Sequence, residues 1–192
     1  MAIGLANEQT PTGIRVAQVV GITASAFLFG QNASLSYIAT PTVMKAPAGL
    51  AAQQWAHAYG IGKKLGPPLA IISSLSTAYV AYHQDIDSLP FKLNVAATVL
   101  VPAIVPFTYA FMIKTNNKLL EKSHTLSATA DDKAETQEEN VHALLDKWAT
   151  LNLARAMLVG VGSILAAWGA VSKLEIVSFG NLALGTGADR LG

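Results

Sequence analysis

Cysteine is absent from the 192 residues. That excludes disulfides, thiolate metal sites and cysteine nucleophiles together, and it leaves the redox compartment unmarked. Charge is scarce as well: charged side chains make up 13% of the chain, against about 25% in ordinary soluble domains. Acidic residues are confined, seven of the twelve lying between Asn117 and Lys147 and none in the long apolar runs. The formal net charge is +1 and the lysines are scattered, which gives no bulk attraction for nucleic acid. P-loop, GxGxxG, GxSxG and HExxH patterns are missing too. Glu139-x-x-His142 matches half of a di-iron pattern. Such a bundle needs that motif twice plus inward carboxylates, and the apolar runs carry none.

What remains is apolar. Hydrophobic residues make up 52% and the mean hydropathy is +0.39, as expected of a polytopic membrane protein. The pattern predicts an all-α fold: one integral membrane domain, a four-helix transmembrane bundle with a polar loop between helices three and four. The spans are expected at about 14–37, 67–83, 91–113 and 149–172. The first apolar run follows a polar NEQTPTG segment, unlike a cleavable signal peptide. Helix one contains Gly21, Ser25 and Gly30, small residues that let helices approach closely in lipid. Its second end holds Gln31, Asn32, Ser34 and Ser36, a cluster that faces protein or water, or marks the interfacial end of the span.

Pro41 and Pro47 then break the chain. The connector that follows carries Trp55, His57, Tyr59, Lys63 and Lys64 and is expected to lie on the membrane interface. Pro67 and Pro68 are expected in the first turn of helix two, where a missing N–H does no harm. The short QDIDSLP loop makes helices two and three antiparallel neighbours. Pro102 and Pro106 should kink helix three and free carbonyls that need internal partners, so the kink is expected to line a cavity. SATADDKAETQEEN reads as a flexible loop leading through a short helix into helix four, and the Gly-broken tail after Lys173 is too short for a fifth span. The lysine distribution places the large loops in the cytoplasm.

The chain is organised around Trp148–Ser172. Trp148, Asn152 and Arg155 stand at i, i+4 and i+7, on one helical face. A guanidinium roughly 10 Å along a membrane helix is costly without a partner and marks a candidate functional site; the alternative is an arginine that snorkels to the headgroups. Among the histidines, His124 and His142 lie in polar sequence and His83 sits at a helix end beside Asp85. His57 lies in the aromatic connector, where an imidazole serves either as a base or as a structural group.

Pro106-Phe107-Thr108, then Thr115-Asn116-x-x-Leu119, then Trp148-x-x-x-Asn152-x-x-Arg155 together resemble the DUF1772 family, whose best-known members are fungal anthrone oxygenases of aromatic polyketide pathways. Ser36-Tyr37-Ile38 running to Pro41, and then Trp55, fit the same pattern, as does the long polar insertion before helix four. The resemblance spans Ile14 to Ser172, although some relatives carry histidine where this chain has Asn152. It implies a small four-helix membrane protein of the endoplasmic reticulum. Its activity would be the oxidation of an anthrone at the central methylene to the anthraquinone, with molecular oxygen as co-substrate.

Such a substrate provides its own electrons, so no metal, haem or flavin is needed. The expected partners are membrane lipid and a hydrophobic polycyclic aromatic substrate; the oligomeric state is not encoded. The chemistry assigns catalysis to His57 as base, with Asn152 and Arg155 at the developing oxyanion. Substrate binding would fall to Phe107, Tyr109 and Trp148 as stacking surfaces and to Thr108 and Asn116 as polar anchors. Two alternatives stand beside this: a haem or metal held by His57 or His83, and a non-enzymatic membrane scaffold or carrier.

Overall fold

The computed structural model describes residues 10–126 and 134–187, with side chains described over 10–126 and 140–172. Four helical rods make up the described chain, without a strand. α1 spans Thr12–Val43, α2 Ala48–Tyr82, α3 Leu89–Thr125 and α4 Ala134–Gly187. Each rod packs on its neighbours in sequence, and α4 closes the ring on α1, the up-down-up-down arrangement that short connections favour. Three of the rods are long and apolar enough to cross a membrane: Thr12–Val43, Leu89–Thr125 and Asn140–Ser172.

The turn into α3 is built as its sequence requires. Ser88 Oγ accepts from the Phe91 backbone N–H at 3.2 Å, a serine N-cap with Pro90 in the first turn. Small residues make the close contacts. Ser73 Oγ donates to the Gly21 carbonyl at 2.9 Å, and a Cβ on Gly21 would stand 3.0 Å from the Ser76 Cβ. Gly162 likewise admits Val101, whose Cγ2 would lie 2.9 Å from an added Cβ. Gly30 faces open space, so the close packing expected of Gly21 and Ser25 does not extend to it.

α2 begins earlier than the prolines suggested. Residues 48–66 are helical, and Pro67 and Pro68 lie inside the rod rather than in its first turn. Ala48, Ala51, Ala52 and Trp55 recur at i, i+3, i+4 and i+7 and are buried, the signature of a core-facing helix. They join Met112, Leu119, Val141, Leu145 and Trp148 in one core. Trp55 is therefore an interior residue. A second core joins all four rods through Leu28, Ala70, Val101, Ile104 and Val159.

α3 breaks where its prolines stand, into Leu89–Leu100 and Ile104–Phe107. Pro102 cannot donate to the carbonyl of Thr98, four residues back. Ser74 Oγ of α2 donates to that carbonyl instead, at 2.8 Å. Pro106 leaves the Pro102 carbonyl, which accepts from Val105 N at 3.0 Å. A wide π-turn follows at Thr108–Met112, and α1 contains another at Leu35–Ala39. Of the polar loop expected over 127–140, residues 127–133 lie outside the described residues, and 134–140 are instead the first turns of α4. Helix four continues as a backbone past the expected end at Ser172, to Gly187.

Candidate active site

Between the two cores lies a polar tier. Arg155 and Asn152 reach it from α4, Asn32 and Ser36 from α1, and Thr108 from α3. Asn152 is fully buried, and both of its amide hydrogens are engaged: Nδ2 donates to the Asn32 carbonyl at 2.7 Å and to Ser36 Oγ at 2.8 Å. Its Oδ1 accepts from Arg155 Nη2 at 2.5 Å. Arg155 Nη2 also donates to Asn32 Oδ1 at 3.0 Å, and Nη1 donates to Thr108 Oγ1 at 3.2 Å. Thr108 Oγ1 is itself fixed, donating to the Ile104 carbonyl at 2.6 Å. The two π-turns flank this tier: Ser36 belongs to one and Thr108 to the other. π-turns recur at functional sites because they turn side chains off the regular helical register.

A guanidinium has five N–H donors. Three are taken here, all by neutral acceptors. Nε is buried and has no partner, and one Nη1 hydrogen is unclaimed. Arg155 faces a cavity of about 240 Å³ lined by Leu35, Tyr59, Lys63, Ile104, Thr108 and Trp148 among others, with no acidic side chain. α2 packs on both ends of α3 but makes little contact with its Ile104–Met112 middle. The bowed middle of α3 therefore leaves the cavity standing beside α2, as the two prolines predicted. Lys63, Pro67, Val105 and Tyr109 are exposed at its margin.

The aromatic wall is layered. Trp148 meets Trp55 edge-on at 5.6 Å and 84°, and Trp55 stacks on Tyr59 at 4.9 Å and 9°. Tyr59 lines the cavity, and its hydroxyl accepts from Asn116 Nδ2 at 3.4 Å. Such a wall offers flat surfaces to a planar ring.

Of the residues singled out in the sequence, Arg155, Thr108, Tyr109 and Trp148 line the cavity. Asn152 stands behind Arg155, and Asn116 stands behind Tyr59. Phe107 packs against the core containing Trp55 and lies 4.9 Å from the Phe111 ring, off the cavity. His57 is exposed on α2 and outside the lining, because the stripe that buries Trp55 and partly buries Tyr59 turns position 57 outward. His83 sits between Tyr79 and Tyr82 with Nδ1 2.9 Å from the Tyr79 carbonyl oxygen. On one straight helix, His57 and His83 are about 39 Å apart, so they cannot ligate one group together. His142 Nε2 lies 3.4 Å from the Ala46 carbonyl oxygen; the Glu139 side chain lies outside those described. Among the described residues no three His, Asp or Glu side chains gather as a metal site.

The fold and this tier define a multi-pass membrane protein with a cationic pocket walled by aromatic rings. A family model described as anthrone oxygenase matches residues 55–165, a stretch holding Trp55, Tyr59, Thr108, Asn116, Trp148, Asn152 and Arg155. The chain belongs to the anthrone oxygenase family, a family of monooxygenase enzymes. It is similar to the anthrone oxygenase of Claviceps purpurea strain 20.1, 35% identical over 172 residues, 86% of this chain and 92% of that protein. Anthrone oxygenase AgnL2 of Paecilomyces divaricatus is 30% identical over 80% of this chain and 94% of its own length. Monooxygenase hypC of Dothistroma septosporum is 29% identical over 84% and 85%. No solved structure matches.

Proposed function

We propose that the cavity binds an anthrone-type polycyclic phenol and that the protein oxidises its central methylene with molecular oxygen, giving the anthraquinone. The observation that carries this is the partly buried guanidinium of Arg155, with Nε enclosed and spare N–H groups, facing an aromatic-walled cavity without a carboxylate. Deprotonating the methylene of an anthrone gives a carbanion stabilised as an aromatic phenolate. A fixed cation in a low-dielectric setting lowers the energy of that anion more than that of the neutral ketone, and this difference is what speeds a reaction. The carbanion supplies the electrons that oxygen takes up, so the reading requires no separate metal, haem or flavin. The described amide hydrogens of Asn152 are both engaged with the protein, so its role is to hold Arg155 rather than to donate to the substrate. The aromatic wall supplies stacking surfaces, with Tyr109 at the margin.

The membrane setting of this reading is four spans. α2 exposes Ile61, Leu65, Ile71, Ile72, Leu75 and Tyr79, an apolar face like those of the other three rods.

The test is oxygen consumption by purified protein of measured metal content, given emodin anthrone, against a protein-free control for autoxidation. Saturable uptake with anthraquinone as product is expected. Uptake no faster than the control overturns the reading. Arg155→Ala should lower turnover by about 10²–10³-fold, the scale of losing an oxyanion donor. Arg155→Lys should retain part of it, since an ammonium keeps the charge but not the planar fork.

A further inference from the structure

With His57 exposed and outside the cavity, the proposed reaction has no histidine to take the methylene proton. The ionisable side chains lining the cavity are Tyr59, Lys63, Tyr109 and Arg155. Arginine does not give up its proton in proteins. Lys63 and Tyr109 are exposed at the margin, Tyr109 at 69%. Tyr59 is the one partly buried against the Trp55 core, and two features distinguish it. Its ring is fixed by stacking on Trp55. Its oxygen accepts an N–H from Asn116, a fully buried amide whose Oδ1 has no partner. An anion at the Tyr59 oxygen thus meets a fixed donor on one side and shares the cavity with the charge of Arg155 on the other.

We infer that Tyr59 is the catalytic base of this site, carrying the proton between the substrate's methylene carbon and the peroxide that follows. The inference rests on the proposed oxygenation of an anthrone. In its phenolate form Tyr59 takes one proton from the central methylene, and the C–H electron pair stays on the substrate as the carbanion. The carbanion adds to dioxygen, forming the C–O bond and a peroxide anion. That anion recovers the proton from the Tyr59 hydroxyl, which restores the phenolate. The hydroperoxide then loses its remaining C–H proton and its O–O bond breaks, leaving the carbonyl and one water. One methylene and one dioxygen become one carbonyl and one water, with four electrons passing from carbon to oxygen.

Anaerobic exchange of the methylene hydrogens of emodin anthrone with deuterated water isolates the proton-transfer step. It is measured on the full chain in detergent against a protein-free control. Tyr59→Phe keeps the ring that stacks on Trp55 and removes only the hydroxyl. Enzyme-catalysed exchange should fall by about 10²–10⁴-fold, the usual contribution of a positioned base. Binding of the product anthraquinone should stay within about twofold, because the stacking surface is intact. Asn116→Leu, which leaves the phenol and removes its donor, should slow exchange by a smaller factor and alter the pH profile of the exchange rate. Wild-type exchange in Tyr59→Phe overturns the role of Tyr59 while leaving the oxygenase reading in place. Failure of the wild-type protein to catalyse either exchange or oxygen uptake overturns both.

Discussion

Asn152 and Arg155 share a hydrogen bond but differ in what their loss leaves behind. Asn152→Ala removes three hydrogen bonds in a fully buried place and leaves a guanidinium with one acceptor fewer. The expected loss is about 2–4 kcal/mol, since each orphaned buried partner costs more than a hydrogen bond contributes. Arg155→Met orphans acceptors too, but it also removes a cation that has no anionic partner among the described residues. Removing a partly buried charge that no anion offsets also removes its desolvation cost, which counters the loss of those hydrogen bonds. A pair of thermal melts therefore separates the two: Asn152→Ala should fall well below Arg155→Met in unfolding midpoint, while both lose oxygen uptake. The reverse order would mean that Asn152 does not hold the tier together. That these residues share one face was legible in the sequence, because the spacing of Trp148, Asn152 and Arg155 permits only one side of a helix. The acceptors were partly legible: Asn32 and Ser36 stood out as polar residues ending an apolar helix. Tyr59 lines the cavity and His57, two positions away, does not. On a helix, that interval exchanges an inward for an outward direction.

At the scale of the helix, prolines decided both the best and the worst expectation. Pro102 and Pro106 predicted a break beside a cavity, and both are found. Pro67 and Pro68 suggested a helix start, and the helix runs through them. The difference lies in the surrounding stripe: Ala48, Ala51, Ala52, Trp55, Tyr59, Gly62, Gly66, Ala70 and Ser73 keep a 3.6-residue period across the pair, and burial along it outweighs the loss of two backbone donors. The π-turns left no sequence signal. Pro102→Ala restores a donor for the Thr98 carbonyl, in competition with Ser74. It should leave the unfolding midpoint unchanged or raised. By straightening α3 towards α2, it should shrink the cavity and lower turnover of the anthrone. Unchanged turnover with a raised midpoint would show that the bend does not shape the site. Gly162→Val places a branched side chain where an added Cβ already stands 2.9 Å from Val101, and overpacking of that kind costs about 1–3 kcal/mol.

Across the whole molecule, large apolar residues are exposed on α1 from Val16 to Ile38, on α2 from Ile61 to Tyr82, on α3 from Leu89 to Phe111 and on α4 from Leu153 to Val171. Each stretch is roughly 20 residues, about 30 Å of helix, which matches the hydrocarbon thickness of a bilayer. Their ends coincide in space. Gly13 lies against Tyr79 and Gly169 against Asn94 at one edge, while Asn152 meets Ser36 and Arg155 meets Thr108 towards the other. The polar tier and its cavity therefore stand near one edge of the apolar belt, with the exposed margin of Lys63, Pro67, Val105 and Tyr109 at the same height. A planar phenol partitions to that depth, with its ring among acyl chains and its hydroxyls at the headgroups. Adding lipid at fixed protein and fixed total anthrone dilutes a membrane-borne substrate but leaves an aqueous one unchanged. In proteoliposomes the apparent KM per bulk volume should then rise in proportion to lipid, and it should collapse onto one value when expressed per mole of lipid. A KM independent of lipid content would mean that the proposed substrate enters the cavity from water, through the charged end of the bundle.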